Sequence, residues 1–385
     1  MLRIVEPFHG AVLNHRHGKQ TDEGLVVTVS GEAPSHGKAG RHRVAADEGT
    51  FQQEQTRPVD AFSQITINGQ PTAVINGRFS TQVLITEHEQ DITAVYDGIH
   101  GHQEHTVRVV WDRWSVPRYR FSIDDNSFWL RDVTRQSYDS LYDCFYLAIL
   151  RDLNRKYGAK FTLNIYYEAD DGFQITEFPE KYRGEFEQAA DWLVLSCHAY
   201  ANVPDRPYQY AAPEKLAHDL DLVEEQIVRF AGEQTLAPPT VIHWGMVLPA
   251  ALKMLYDRGV RVLSGFGHPT SYGYDVNYWL DHERAEYLAY HDALKDFDSG
   301  IVFSKVDIVC NNVPIEQIEP TLQEVYDTPD QAEIMDLFTH EQYFWPFWVR
   351  HIPDHGERLD AAIRFVTERD YQPVFFHTGF LGGRV

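Results

Sequence analysis

Cysteine is scarce in this chain of 385 residues, which contains only Cys144, Cys197 and Cys310. The three are far apart, and each lies in an apolar segment such as VLSCHA or DIVCNN. An odd number of scattered cysteines argues against a disulfide framework and against a cysteine-based zinc site. The sequence therefore predicts three buried free thiols.

Long hydrophobic runs are also missing. A transmembrane helix needs about 18 to 20 consecutive apolar residues, and no such run is present, so we expect no membrane partner. The opening segment, MLRIVEPFHGAVLN, lacks the apolar region of a signal peptide. On these grounds the expected location is cytoplasmic.

Positive charge is in deficit, because 34 Lys and Arg residues face 57 Asp and Glu residues and leave a net charge of −23. Nucleic-acid binding depends on an excess of cations that neutralise phosphates, so no nucleic-acid partner is expected. The apolar content of 43% is enough for sizeable cores, and the length favours two domains. The sequence leaves the oligomeric state open, a homo-oligomer included.

Residues 1–114 have the pattern of an all-β domain. Short segments rich in Val, Ile and Thr, such as LVVTVSG and FSTQVLI, are separated by turn signals. The stretches INGQ and INGR predict tight turns, where Asn-Gly supplies positive φ angles. A β-sandwich is expected, and the segment resembles the immunoglobulin-like modules that accompany carbohydrate-active enzymes.

Residues 115–385 alternate strand-like and helical segments, which predicts an α/β fold with a parallel sheet or barrel. Helices are predicted over 139–157, 213–232, 249–258 and 355–369, where apolar residues recur at helical spacing. Predicted strands include KFTLNIYYE, DWLVLSCHA, TVIHWGM, VRVLSGF, IVFSKVDIVC, EIMDLFTHE and QPVFF. The long insert 267–300 is expected to form a lid or a substrate wall.

Five strand-like segments of this half carry a carboxylate or an imidazole at or near their ends. In a parallel barrel the chemistry collects where the strands end, so these side chains are expected to face one mouth. They are Asp124 and Asp125, His198, His243, Asp307 and His340.

Such a set suits a metal-assisted hydrolase. One carboxylate and imidazoles can hold a divalent ion that keeps a position open for water, and the ion lowers the pKa of that water. A second carboxylate can take the proton, and a separate histidine can protonate the leaving group. Neighbouring side chains of an extended segment point different ways, so Asp124 and Asp125 can divide the two carboxylate roles.

The same segments resemble the motifs of the polysaccharide deacetylase family (carbohydrate esterase family 4, chitooligosaccharide deacetylase-like). FSIDDN is similar to its first motif, SCHAYAN to its second and LFTHEQ to its fifth, and the resemblance spans about residues 119–377. It implies an irregular (β/α) barrel of the deacetylase type. It also implies Asp124 as the catalytic base, Asp125 and His198 as metal ligands, and His340 as the general acid.

The chain departs from the family pattern at several places, which include Ser122, Ile123 and Asn126 in the first motif. Asn202 stands where the family usually has a second metal-binding histidine, and a neutral amide is a poor zinc ligand. His243 occupies the region of a family arginine, and we expect it to complete the metal site. Asp307 is our candidate for the fourth motif, and we assign Asn202, Asp307 and Trp244 to substrate binding.

The residues and the resemblance together predict a zinc-dependent hydrolase that removes an N- or O-linked acetyl group from a saccharide. One alternative is a catalytically degenerate carbohydrate-binding protein on the same scaffold, because Asn202 weakens the ligand set. The other alternative is a glycoside hydrolase that uses paired carboxylates, for example Asp125 with Glu341. The metal content of the protein distinguishes the first two.

Overall fold

The computed structural model describes residues 1–34, 65–98, 101–265 and 277–381. The chain divides into two compact units, Met1–Trp111 and Asp112–Val385. None of the helices in these ranges combines the length and the apolar run that crossing a bilayer requires.

The described part of the first unit is built from strands, which form two five-stranded sheets with the orders β1-β4-β8-β7, where β3 also pairs with β4, and β2-β10-β9-β5-β6. The strands are β1 Arg3–Glu6, β2 Val12–Leu13, β3 Gly18–Gln20, β4 Leu25–Glu32, β5 Ile65–Ile67, β6 Gln70–Thr72, β7 Val74–Ile75, β8 Arg78–Ile85, β9 Glu89–Gly98 and β10 Gly101–Trp111.

The predicted Asn-Gly turns of this unit are confirmed. Asn68 and Gly69 link β5 to β6 with φ angles of 48° and 78°, and Asn76 and Gly77 link β7 to β8 with 53° and 76°. Positive φ at both central residues is the mark of the tight hairpin turn that matches the twist of paired strands.

The second unit mixes helices and strands. Its helices are α1 Phe128–Gln136, α2 Phe145–Tyr157, α3 Arg183–Ala189, α4 Pro213–Ala231, α5 Pro249–Asp257, α6 His282–Ala289, α7 Ile315–Tyr326, α8 His355–Thr367 and α9 Phe376–Gly379. Its strands are β11 Arg118–Asn126, β12 Phe161–Glu168, β13 Leu193–Ala201, β14 Val262–Gly265, β15 Ala293–Lys295, β16 Val302–Lys305, β17 Ile308–Val309, β18 Ile334–His340 and β19 Gln372–Pro373.

A six-stranded parallel sheet forms the centre of the second unit, with the order β13-β12-β11-β18-β17 and with β19 also on β11. A separate three-stranded sheet has the order β14-β16-β15. The fold class is therefore mixed α/β, as predicted. Within the described ranges the strands do not close into a barrel.

Most predicted elements of this unit are present, but TVIHWGM is not a strand. His243–Gly245 forms a short 3₁₀ turn instead. Trp244 and Gly245 have φ angles of 64° and 63°, in the left-handed region that a strand does not adopt. Pro238 and Pro239 precede the segment and bring no N–H groups to a sheet.

Two further predicted strands are shorter than expected. IVFSKVDIVC divides into β16 and β17, and QPVFF pairs only over β19 before α9 begins. Part of the predicted insert 267–300 lies outside the described residues, and from residue 277 it contains α6 and β15. The predicted buried free thiols are confirmed at all three cysteines.

The face of β11 that carries Asp124 is polar and buried. Alternate residues of a strand share a face, so Arg120, Ser122 and Asp124 lie in one row. Arg120 Nε donates to Asp336 Oδ1 at 2.6 Å, and its Nη1 donates to Thr240 Oγ1 at 2.9 Å. The row leads from a buried ion pair in the sheet to the strand end where the candidate site lies.

Candidate metal centre

Asp125, the last residue but one of β11, has an unusual backbone conformation. Its φ angle is 60°, in the left-handed region that residues other than glycine rarely adopt. The pairing of β11 with β12 shifts register between Ile123 and Asn126, around the two aspartates. Backbone strain of this kind is concentrated at functional sites.

Three potential ligand atoms converge here. Asp125 Oδ1 lies 3.1 Å from His198 Nε2 and 3.7 Å from His243 Nδ1, and the two nitrogens are 2.8 Å apart. Ligands about 2.1 Å from a tetrahedral zinc ion are separated by about 3.4 Å, a value that these three spacings bracket. Asp125, His198 and His243 could therefore bind a metal ion.

The charges of the three groups are strongly coupled. Burial and the neighbouring His198 lower the pKa of His243 to about 3, so that ring is neutral and has a lone pair to offer. Burial works against the charged forms of the other two residues. The hydrogen bond from His198 nevertheless holds the pKa of Asp125 well below its usual range. Asp124 and Asp125 raise the pKa of His198 in spite of its burial.

Asp124 lies beside the three ligand atoms with one oxygen anchored. Its Oδ1 accepts hydrogen bonds from Asn164 Nδ2 at 2.6 Å and from Ser122 Oγ at 3.2 Å. Its Oδ2 is 3.8 Å from His198 Nε2. The anchored oxygen fixes the carboxyl group, and Oδ2 is the atom placed to take a proton from a group near the ligands.

His340 ends β18 directly opposite Asp124 in the parallel register. Its Nδ1 lies 2.9 Å from Asn311 Oδ1, which also accepts a hydrogen bond from Thr339 Oγ1 at 3.1 Å. An amide oxygen can only accept, so Nδ1 of His340 carries the proton of this contact. Nε2 is then the ring atom left to serve a substrate.

These residues line one cavity of about 360 Å³. The structure places the predicted residues Asn202 and Trp244 on its wall as well. Asn202 Nδ2 is 3.4 Å from Asp170 Oδ2, and the Arg206 guanidinium lies 5.1 Å from the ring centre of Trp244. The wall therefore combines the candidate ligands and acid–base groups with an aromatic face.

Asp307 is not brought to this cavity. Its carboxylate pairs with Lys305 and accepts a hydrogen bond from the backbone N–H of Asp336 at 2.8 Å. Both partners bind it inside the sheet region, so a substrate in the cavity does not meet its side chain.

Glu341 is also absent from the cavity wall, and its carboxyl group binds the start of a helix. Its two oxygens accept hydrogen bonds from the backbone N–H groups of Ser127, Phe128 and Trp129 at 2.6 to 2.9 Å, and from Trp345 Nε1 at 2.9 Å. The carboxyl group thus caps the N-terminus of α1. A carboxyl group with all these contacts is not placed to work as the partner of Asp125 on a sugar.

Several residues of the site were missed at the sequence level. Asn164 and Asn311 anchor Asp124 and His340, while Tyr166 and Gln342 bind Asp125. One signal was available. Asn164 and Tyr166 alternate on the buried strand β12, and a buried strand carries polar groups only where they find partners.

No protein-family model matches the chain, and no curated protein matches it.

Proposed function

We propose that the second unit is a zinc-dependent hydrolase that removes an acetyl group, N- or O-linked, from a saccharide. The observation that carries this proposal is the meeting of Asp125, His198 and His243 around one point in the cavity that Asp124 and His340 also line. One carboxylate with two imidazoles is a common ligand set of hydrolytic zinc sites, which keep a fourth position open for water.

The motif resemblance supports the finer assignments. FSIDDN, SCHAYAN and LFTHEQ supply four of these five residues, in the order of the polysaccharide deacetylase motifs. By this proposal the two sheets of the second unit are parts of an irregular deacetylase-type barrel. The sheets of the first unit would form an immunoglobulin-like sandwich.

The residues of the chain divide the reaction between them. A bound zinc ion would polarise the acetyl carbonyl and lower the pKa of a water molecule. Asp124 accepts the proton of the attacking water through Oδ2, because Oδ1 is held by Asn164 and Ser122. His340 donates a proton from Nε2 to the leaving amine or alcohol, while Asn311 fixes its ring.

The cavity suits a small polar substrate. Its volume of about 360 Å³ lies at the lower end of the range for ligand pockets, which fits one acetylated sugar unit better than a long segment of polymer. Trp244 offers an aromatic face on the wall, against which a sugar ring can pack.

A second candidate function is carbohydrate binding without catalysis. The 2.8 Å contact between His198 Nε2 and His243 Nδ1 is a good hydrogen bond in its own right, so these two nitrogens have a partner without an ion. Asn202 is directed to Asp170 and adds no ligand to the cluster.

Metal analysis separates the two functions. We would measure bound zinc by elemental analysis in the wild-type protein, in His198→Ala and in His218→Ala, whose imidazole is exposed on α4. Deacetylation of acetylated chitooligosaccharides and acetylated xylan would be followed on the same samples. The proposal expects one zinc per chain and acetate release in wild type and His218→Ala, with both lost in His198→Ala. A wild-type protein that stays free of metal in excess zinc would exclude the enzyme and favour the binder.

A further inference from the structure

Asp125 is held from both sides by two side chains. The Tyr166 hydroxyl donates a hydrogen bond to Asp125 Oδ1, and Gln342 Nε2 donates one to Asp125 Oδ2 at 2.8 Å. Each carboxylate oxygen therefore has its own donor. We propose that Tyr166 and Gln342 form a clamp that presents Asp125 to the metal through Oδ1 alone, so that both are positioning residues of the metal centre.

Tyr166 touches every member of the ligand set. Beyond its bond to Asp125, its hydroxyl lies 3.2 Å from His243 Nδ1. Its ring centre is 5.2 Å from that of His198 and 5.4 Å from that of His243. The side chain is almost completely buried, with 2% of its surface exposed. A ring enclosed in this way fixes the ligand atoms against rotation.

The position of Tyr166 shows that it acts as a positioning residue and not as a metal ligand. The cavity wall includes Asp125, His198 and His243 but not Tyr166, which therefore lies behind them. A phenol on that side leaves the cavity side of the ion open for water and substrate. Its hydroxyl acts on the ion only through the ligands Asp125 and His243.

The clamp has a consequence for the choice of ion. Gln342 occupies Oδ2, so Asp125 adds one oxygen to the coordination shell rather than two. A low coordination number with nitrogen ligands suits Zn²⁺ and Co²⁺, whereas Ca²⁺ takes six to eight oxygens. Hydrogen bonds to metal ligands of this kind commonly change metal affinity by about 10- to 100-fold.

The clamp rests on the proposed metal site, and its test uses Co²⁺ as the probe. Co²⁺ affinity would be measured by equilibrium dialysis, and the intensity of its visible absorption reports the coordination number. The variants are Tyr166→Phe and Gln342→Leu. The matched control is Tyr167→Phe, since Tyr167 is the next residue of β12 and stacks on Tyr200 with ring centres 5.1 Å apart.

We expect Tyr166→Phe and Gln342→Leu each to weaken Co²⁺ binding at least about tenfold. The visible bands of Gln342→Leu should also lose intensity as Oδ2 of Asp125 enters the coordination shell, whereas Gln342 still holds Oδ2 in Tyr166→Phe, which should keep the band intensity. Tyr167→Phe should match the wild type in both measurements. If folded Tyr166→Phe and Gln342→Leu, checked by circular dichroism, keep wild-type affinity and spectrum, the clamp is overturned and the metal site stands. A wild-type protein that binds no Co²⁺ overturns both.

Discussion

His198 Nε2 and His243 Nδ1 lie 2.8 Å apart, so the two imidazoles hydrogen-bond across the point where an ion would be held. Only one proton fits between two nitrogens at that distance. A metal ion must displace this proton, so metal binding and proton release are linked at this site.

Zinc should stabilise the folded protein through His243. A ligand that binds only the folded state at a concentration 100 times its Kd adds about 2.7 kcal/mol to the free energy of unfolding. We expect this gain to appear as a higher Tm in the wild type and to vanish in His243→Ala. Scanning calorimetry with zinc and with EDTA measures it, and His218→Ala is the control. Equal gains in His243→Ala and wild type would remove His243 from the ligand set.

Asp124→Asn should separate catalysis from metal binding. The amide cannot accept the proton of the attacking water, and general bases commonly contribute about 10²- to 10⁴-fold to kcat. Bound zinc should stay at the wild-type level, because Asp124 is not among the three ligands. Kinetics of acetate release with parallel metal analysis check both statements. Retention of full activity would show that another group is the base.

His355 should make the protein sensitive to acid. Burial lowers the pKa of its imidazole from 6.5 to about 3, and Thr339 Oγ1 lies 2.9 Å from its Nε2. The unfolded chain takes up this proton below pH 6.5 and the folded chain only near pH 3. Stability from this group is therefore complete above pH 6.5 and is lost as the pH falls toward 3.

The expected loss from His355 alone is about 2 kcal/mol at pH 5. Between pH 7 and pH 5 the free energy of unfolding should fall by about 2 kcal/mol less in His355→Gln than in the wild type, since Gln does not titrate. Urea denaturation at the two pH values measures the difference, with the exposed His218→Gln as control. If the free energy of unfolding falls as much in His355→Gln as in the wild type between the two pH values, His355 is not the source of the acid sensitivity.

Glu341→Ala should destabilise the second unit. The change leaves three buried backbone N–H groups at the start of α1 and the indole N–H of Trp345 without their acceptor. A loss of about 3 kcal/mol or more is expected from urea denaturation, since one unsatisfied buried group costs about 1–3 kcal/mol. Glu316→Ala, at the exposed first turn of α7, is the control and should change stability little.

The elements that were predicted well are those set by neighbouring residues in the chain, such as an amphipathic helix or an Asn-Gly turn. The apolar stripe over 213–232 gave α4 to within a residue at its end, and Asn68-Gly69 gave a hairpin turn. Asp125 and His198 could also be recognised as candidates, because carboxylates and imidazoles near the end of an apolar run are unusual, although β13 continues past His198 to Ala201.

What escaped prediction depends on contacts between distant segments. His243, a candidate ligand from the sequence, reaches the site from a turn with left-handed backbone and not from the predicted strand. Asp307 was a candidate because it lies in a strand-like segment, yet its carboxylate accepts a hydrogen bond from the backbone N–H of the distant Asp336. Tyr166 and Gln342 act on a residue far away in the chain, and no periodicity marks such a partner.

Three consecutive residues at and just after the end of β18 reach three different parts of the second unit. His340 faces the cavity, Glu341 caps α1, and Gln342 reaches Asp125. An insertion or deletion of a single residue here would shift all three side chains at once. Related chains should therefore vary in length at other loops and keep this segment free of gaps, even where the identity of its residues drifts.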